Sequence, residues 1–271
     1  MNKVIMFSKD RAMQCDASLR SFYKYCTDKD TKIIVLYKAS NRKHAKSYDV
    51  LKEEYLDKNI WFMPQGDFET DVISFIGDSN FITFLVDDNL FIGNFSLSFA
   101  RSVIEFDENN VLGFSFRMGE NIENCYPISV QQPHPNFIRI RDVLYWNWIL
   151  SEYDWNYPMD ISSSMHKVDF IKSVLMNANI QNPNELEYFL DAYKGLNIKQ
   201  SLMACYKRSV AFCNPINKVN TGNNNRSGDN PELSTEKLLE KFIGGYRINI
   251  DQYDGFIPLS PHQEVDVEFT K

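Results

Sequence analysis

The chain has 271 residues, 44% of them hydrophobic and 14% aromatic, which excludes a disordered chain and leaves room for one or two domains with a large core. With only 11 glycines and 10 prolines, long packed elements are favoured over a loop scaffold. A formal net charge of −7, from 29 basic and 36 acidic residues, disfavours nucleic-acid polymers as partners but permits a local basic pocket for a small phosphorylated ligand.

The first apolar run, residues 4–7, reads as a buried strand that ends in the polar loop Ser8-Lys9-Asp10-Arg11. Asp16 is the expected N-cap of a helix whose stripe is Leu19, Phe22, Tyr23 and Cys26. Strands over 33–37, 60–63 and 81–86 follow. They alternate with helices marked by Tyr48, Leu51 and Tyr55, then by Val72, Phe75 and Ile76. This alternation predicts an α/β fold with a mostly parallel sheet flanked by helices, and ligands then sit beyond the carboxyl ends of the strands. Two polar loops fall there: Ser8 to Arg11, and Asp87-Asp88-Asn89.

The second half is less regular. Residues 111–116 and 128–131 read as strands, and 137–150 hold one or two more. A helix is expected over 166–178, and another after Asn182-Pro183-Asn184-Glu185, where Asn caps, Pro takes the first position and Glu the third. A last strand is expected over 209–213. Residues 221–231 (TGNNNRSGDNP) lack apolar side chains and read as a mobile loop, a lid or a plain surface loop. A short helix opens at Ser234, and the chain closes on a tail containing His262 and Glu264. One compact domain over 1–271 is the simplest division.

Five cysteines, with no CxxC pair, fit a reducing compartment and argue against a cysteine zinc site. No apolar run reaches membrane-spanning length, and the start MNKVIMFSKD is no signal peptide. A cytoplasmic protein without a transmembrane segment is therefore expected.

The sharpest chemical signal is FITFLVDDNLF, where two carboxylates and a carboxamide follow an apolar strand without a break. Hard cations such as Mg2+ and Mn2+ take oxygen ligands, and one or two carboxylates suffice when a diphosphate supplies the rest. The plain alternative is a turn, which all three residues favour. In the first loop, Arg11 can grip a phosphate with two parallel hydrogen bonds and Lys9 cannot, although both suit a solvated loop. His262 can fold back as one metal ligand, whereas His44 and His134 read as surface residues and His166 as a helix start. Asp160 and Glu187 are candidate bases for a hydroxyl, against a turn or cap for Asp160 and a solvated helix face for Glu187. Trp146, Trp148, Tyr153, Trp155 and Tyr157 suit either core packing or stacking on a sugar.

The opening stretch VIMFSKDRAMQCDASLRSF, the motif FLVDDNLF, and the later stretches PNELEYFL, CNPINKVN, STEKLLEKFIGGYRINI and SPHQEVDVEF resemble a bacterial subgroup of nucleotide-sugar-dependent glycosyltransferases of the GT-A fold. The resemblance implies a GT-A-like, Rossmann-like sheet with a nucleotide-binding half (1–92), a less regular acceptor half (93–215) and a loop with a C-terminal extension (216–271). It implies sugar transfer from a nucleoside diphosphate sugar to a carbohydrate or lipid-linked acceptor, as in surface polysaccharide synthesis. A cytoplasmic setting, peripheral to the inner membrane face, goes with such an acceptor. Ser8, Lys9, Arg11 and Asp87 would hold the donor. Asp88, Asn89 and His262 would hold Mn2+ or Mg2+, with Asn89 standing where the family's DxD motif has an acid. Glu187, 100 residues after Asp87, matches the place of the acceptor base, with Asp160 as second candidate. A nucleotidyltransferase ranks lower, because SKDRAMQ carries no glycine. A non-catalytic nucleotide- or carbohydrate-binding protein is kept open by Asn89.

Overall fold

A computed structural model describes residues 2–219 and 226–271. The first half follows the predicted order: β1 (Asn2–Lys9), α1 (Ala12–Tyr25), β2 (Thr31–Lys38), α2 (Arg42–Glu54), β3 (Ile60–Pro64), α3 (Phe68–Ile76) and β4 (Phe81–Val86). β1 lies between β2 and β4, parallel to both. Its side chains alternate between two buried layers. Val4 and Met6 pack with α1 residues such as Leu19 and Phe22, while Ile5 and Phe7 pack with Phe68, Val72 and Phe84.

The rest of the chain supplies β5 (Asn89–Phe91), α4 (Leu97–Phe106), β6 (Val111–Ser115), and the small hairpin of β7 (Asn124–Cys125) and β8 (Val130–Gln131). Next come β9 (Ile138–Ile140), β10 (Val143–Asn147), β11 (Ser164–Lys167), α5 (Val168–Asn177), α6 (Pro183–Ala192), β12 (Leu202–Tyr206) and β13 (Ala211–Cys213). α7 (Thr235–Ile243), β14 (Arg247–Ile248) and β15 (Phe269–Thr270) close the chain.

Among the described residues the central sheet has nine strands in the order β3-β2-β1-β4-β11-β6-β12-β10-β9. All except β11 and β10 run in one direction, so the sheet is mostly parallel in sense. β11 enters antiparallel between β4 and β6. Gly113 permits this close approach, since a Cβ there would lie 2.8 Å from the Met165 carbonyl oxygen and 3.0 Å from His166 Nδ1.

Several expectations are corrected. Asp16 is not an N-cap, because α1 begins one turn earlier; its buried carboxylate accepts from Arg20 Nε at 2.8 Å and from Tyr55 OH at 2.9 Å. His166 belongs to strand β11, and α5 starts after it. The expected strand over 128–131 is only β8, preceded by a 3-10 turn. α4 and β12 were not predicted; Ser96, which accepts from Phe99 N–H, with Leu97, Ala100, Val103 and Ile104 behind it, is the signal for α4. α6 keeps its predicted cap: Asn182 Oδ1 accepts from Glu185 N–H at 3.1 Å, and Glu185 accepts from Gln181 N–H at 2.7 Å. Trp146, Trp148 and Trp155 are core residues, with Trp146 and Trp155 packed edge to face. All five cysteines are free and buried.

Residues 220–225 lie outside the described residues, and with them the front, 221–225, of the expected mobile loop. Just beyond them, Arg226 donates to Ser129 Oγ and stacks over the Tyr126 ring, and Gly228 N–H donates to the Pro215 carbonyl. No helix among the described residues is long and apolar enough to cross a membrane.

Candidate functional site

β1, β4 and β6 end on one edge of the sheet, and antiparallel β11 begins there. The loop after β1 turns sharply: Asp10 has φ 56°, and its carboxylate accepts from Ser40 N–H at 2.7 Å. That turn aims Arg11 back across the edge. Its Nη1 donates to Asp87 Oδ1 at 3.1 Å and to Asp88 Oδ2 at 3.4 Å, and its Nη2 donates to the Asn217 carbonyl. The other oxygen of Asp87 accepts from Ser8 Oγ at 2.9 Å and from Lys9 N–H at 3.2 Å. Ser8, Lys9, Arg11 and Asp87 therefore form one buried network, with Lys9 contributing its backbone. Tyr48 OH completes it, 2.6 Å from Ser8 Oγ and accepting from Arg11 N–H. Burial works against the Arg11 charge, but the carboxylates of Asp87 and Asp88 outweigh it and hold the guanidinium firmly protonated. Burial, with the like charge of Asp87, raises the Asp88 carboxyl above its usual range against the pull of Arg11 and Arg117.

Arg117, just past β6, is the residue that sequence reasoning missed. Its guanidinium is buried and reaches Asp160 Oδ1 at 3.2 Å, Cys213 Sγ at 3.1 Å and a ring nitrogen of His262 at 3.2 Å. A signal existed: like Asp87, Arg117 is a charge that directly follows an apolar strand. Gly119 lets this segment press on the backbone of Arg208 and Ser209, where a Cβ would not fit. His262 does fold back into the site, beside Cys213. Burial first, then the Arg117 charge, drives its imidazole down to about 3, so it is neutral. His44, expected on the surface, is buried near Asp10.

Asn89 has a different role from the one expected of it. Its Oδ1 accepts from Val86 N–H at 2.8 Å and its Nδ2 donates to Cys213 Sγ, so the carboxamide closes the β4–β5 turn.

Asp160 and Glu187 are brought together at the same edge. Asp160 is fully engaged: besides Arg117, it accepts from Ser162 N–H at 2.9 Å and Ser164 Oγ at 2.8 Å. Glu187, on α6, accepts one bond from Ile161 N–H at 3.2 Å. Burial and the neighbouring Asp160 charge push its carboxyl up to about 7.

The donor set fits a resident divalent cation poorly. Both Asp87 oxygens are bonded, Asn89 faces the turn, and His262 faces a guanidinium. Among the described residues only Asp88 of this set keeps an oxygen outside the network, and both arginine charges act on it. Among the described residues, no three His, Cys, Asp or Glu side chains cluster as metal ligands.

The chain is 29% identical over 218 residues to the bifunctional glycosyltransferase pgtA of Dictyostelium discoideum, a match covering 69% of this chain. The chain spans about a quarter of that relative, 27% of its length. Among solved structures it is similar to S. aureus TarS, with a TM-score of 0.50 at 13% identity over 79% of this chain and 36% of TarS. The fold, a large mostly parallel sheet flanked by helices, is that of TarS. The GT-A-like sheet expected from the resemblance is thereby borne out. A TarS fragment, 1-349, solved in complex with UDP-GlcNAc, matches with a TM-score of 0.48 at 11% identity, over 76% of this chain and 56% of the fragment. No protein-family model matches the chain.

Proposed function

We propose that the chain transfers a sugar from a nucleoside diphosphate sugar to an acceptor hydroxyl. The observation that carries this is Glu187: a carboxyl raised to about 7, with one oxygen unengaged among the described residues, set at the ligand-binding edge of a glycosyltransferase fold. A base poised near neutral pH takes a hydroxyl proton most effectively. Asp160, with both oxygens bonded, is the positioning partner that, after burial, helps to keep the Glu187 carboxyl high.

In this reading the acceptor oxygen bonds to the anomeric carbon as its proton passes to Glu187. The bond from that carbon to the diphosphate breaks, and the electron pair leaves with the diphosphate. Arg11 offsets the growing negative charge. The acceptor is a carbohydrate, free or lipid-linked, and surface polysaccharide synthesis is the setting that suits it.

The test is release of nucleoside diphosphate from a panel of uridine, guanosine, cytidine and thymidine diphosphate sugars. Turnover by the wild-type chain and its loss in Glu187→Gln are expected. No release from any donor, or undiminished release by the variant, would refute the reading.

A further inference from the structure

We propose that the donor's diphosphate is gripped by two buried guanidiniums, Arg11 and Arg117, in place of a divalent cation at Asp87-Asp88. This rests on the donor reading above and adds the means of charge neutralisation. The two arginines come from different strand ends, after β1 and after β6; Arg11 pairs with Asp87 and Asp88 and Arg117 with Asp160, and the charges of both act on Asp88. Their side chains are only 10% and 5% exposed. Among the described residues neither buried Nε–H has a partner, an uncommon arrangement for a cationic donor and one that an anionic ligand would satisfy. Planar guanidiniums match phosphate oxygens through paired hydrogen bonds.

The surrounding groups agree. Arg117 is held in place by Asp160, Cys213, His262 and the Pro261 carbonyl at 3.5 Å, so little reorganisation is needed when charge develops. A dication at Asp88 would face both guanidiniums, and the engaged oxygens of Asp87 could not help it without breaking the Arg11 network.

The experiment is calorimetric titration of the full chain with inorganic pyrophosphate and with uridine and guanosine diphosphates, in EDTA and again with Mn2+. Affinity for at least one nucleoside diphosphate is expected to agree within about threefold between the two conditions and to fall with added salt. Arg117→Met is expected to weaken it by about 10- to 100-fold, the loss typical of a charged hydrogen-bond partner. Arg117→Lys is expected to recover part of that loss, and melting curves check that both variants fold. The salt dependence of the wild-type chain keeps the test decisive if Arg117→Met does not fold. Binding that appears only with Mn2+ would overturn the two-arginine site while leaving the donor reading intact. Absence of binding in both conditions would overturn the two together.

Discussion

The edge of the sheet carries two acidic pairs, and they differ in kind. Asp87 and Asp88 are adjacent in the chain and face Arg11, whereas Asp160 and Glu187 are brought together by folding and face Arg117. In both pairs one carboxylate is fully engaged inside the protein: Asp87 with Arg11, Ser8 and Lys9, and Asp160 with Arg117, Ser162 and Ser164. In both, the companion keeps an unengaged oxygen and a raised carboxyl. The fully hydrogen-bonded acid fixes an arginine, and its neighbour is thereby left as the reactive or adjustable member.

The largest expected effect separates the members of the second pair. Glu187→Gln should lower transfer by about 10²- to 10⁴-fold with donor affinity and folding unchanged. Asp160→Asn should instead lower both transfer and thermal stability, because it strands the buried Arg117; steady-state kinetics beside melting curves distinguish the two. Equal stability losses would erase the proposed division of roles.

Within the first pair, stability is the sharper measure. Asp87→Asn leaves Arg11 without its main counter-charge and should cost about 3–5 kcal/mol in urea unfolding. Asp88→Asn should cost about 1 kcal/mol or less, since it keeps only a longer contact with Arg11. Similar costs would mean that the two acids share the arginine evenly.

The smallest effect is in pH dependence. The Glu187 carboxyl is raised from 4.5 to about 7, so between those values the folded chain binds more protons than the unfolded chain. Stability from this group is therefore present at low pH and falls as pH rises through about 7, whereas transfer, which needs the carboxylate, rises over the same window. Glu187→Gln should flatten this fall in denaturation curves taken between pH 4.5 and 7.5. An unchanged slope would place the raised carboxyl elsewhere.

The parallel half of the sheet was legible because each of its strands is a continuous apolar run bounded by polar loops, and the helix between strands shows its stripe locally. The strand-end rule then located Ser8 to Arg11 and Asp87 to Asn89 at one edge. The mixed half was less legible. β11 is four residues long, reads Ser-Met-His-Lys and lacks any alternation, so its position is set by the gap between β4 and β6. The cap motif of α6 and the apolar stripe of α5 were readable, but nothing local shows that α6 brings Glu187 to Asp160.

The sequence by itself determined the strands of the parallel half, where their polar ends lie, and that Arg11 and Asp87 occupy neighbouring loops. Hydrophobic periodicity and loop chemistry are local properties, readable within a few residues. Only the tertiary structure decided that Asn89 closes a turn, that His262 and Cys213 meet Arg117, and that Glu187 acquires a raised carboxyl. Each of these depends on which distant segments become neighbours and on how far they exclude water, and the energy of a buried charge is set by those neighbours.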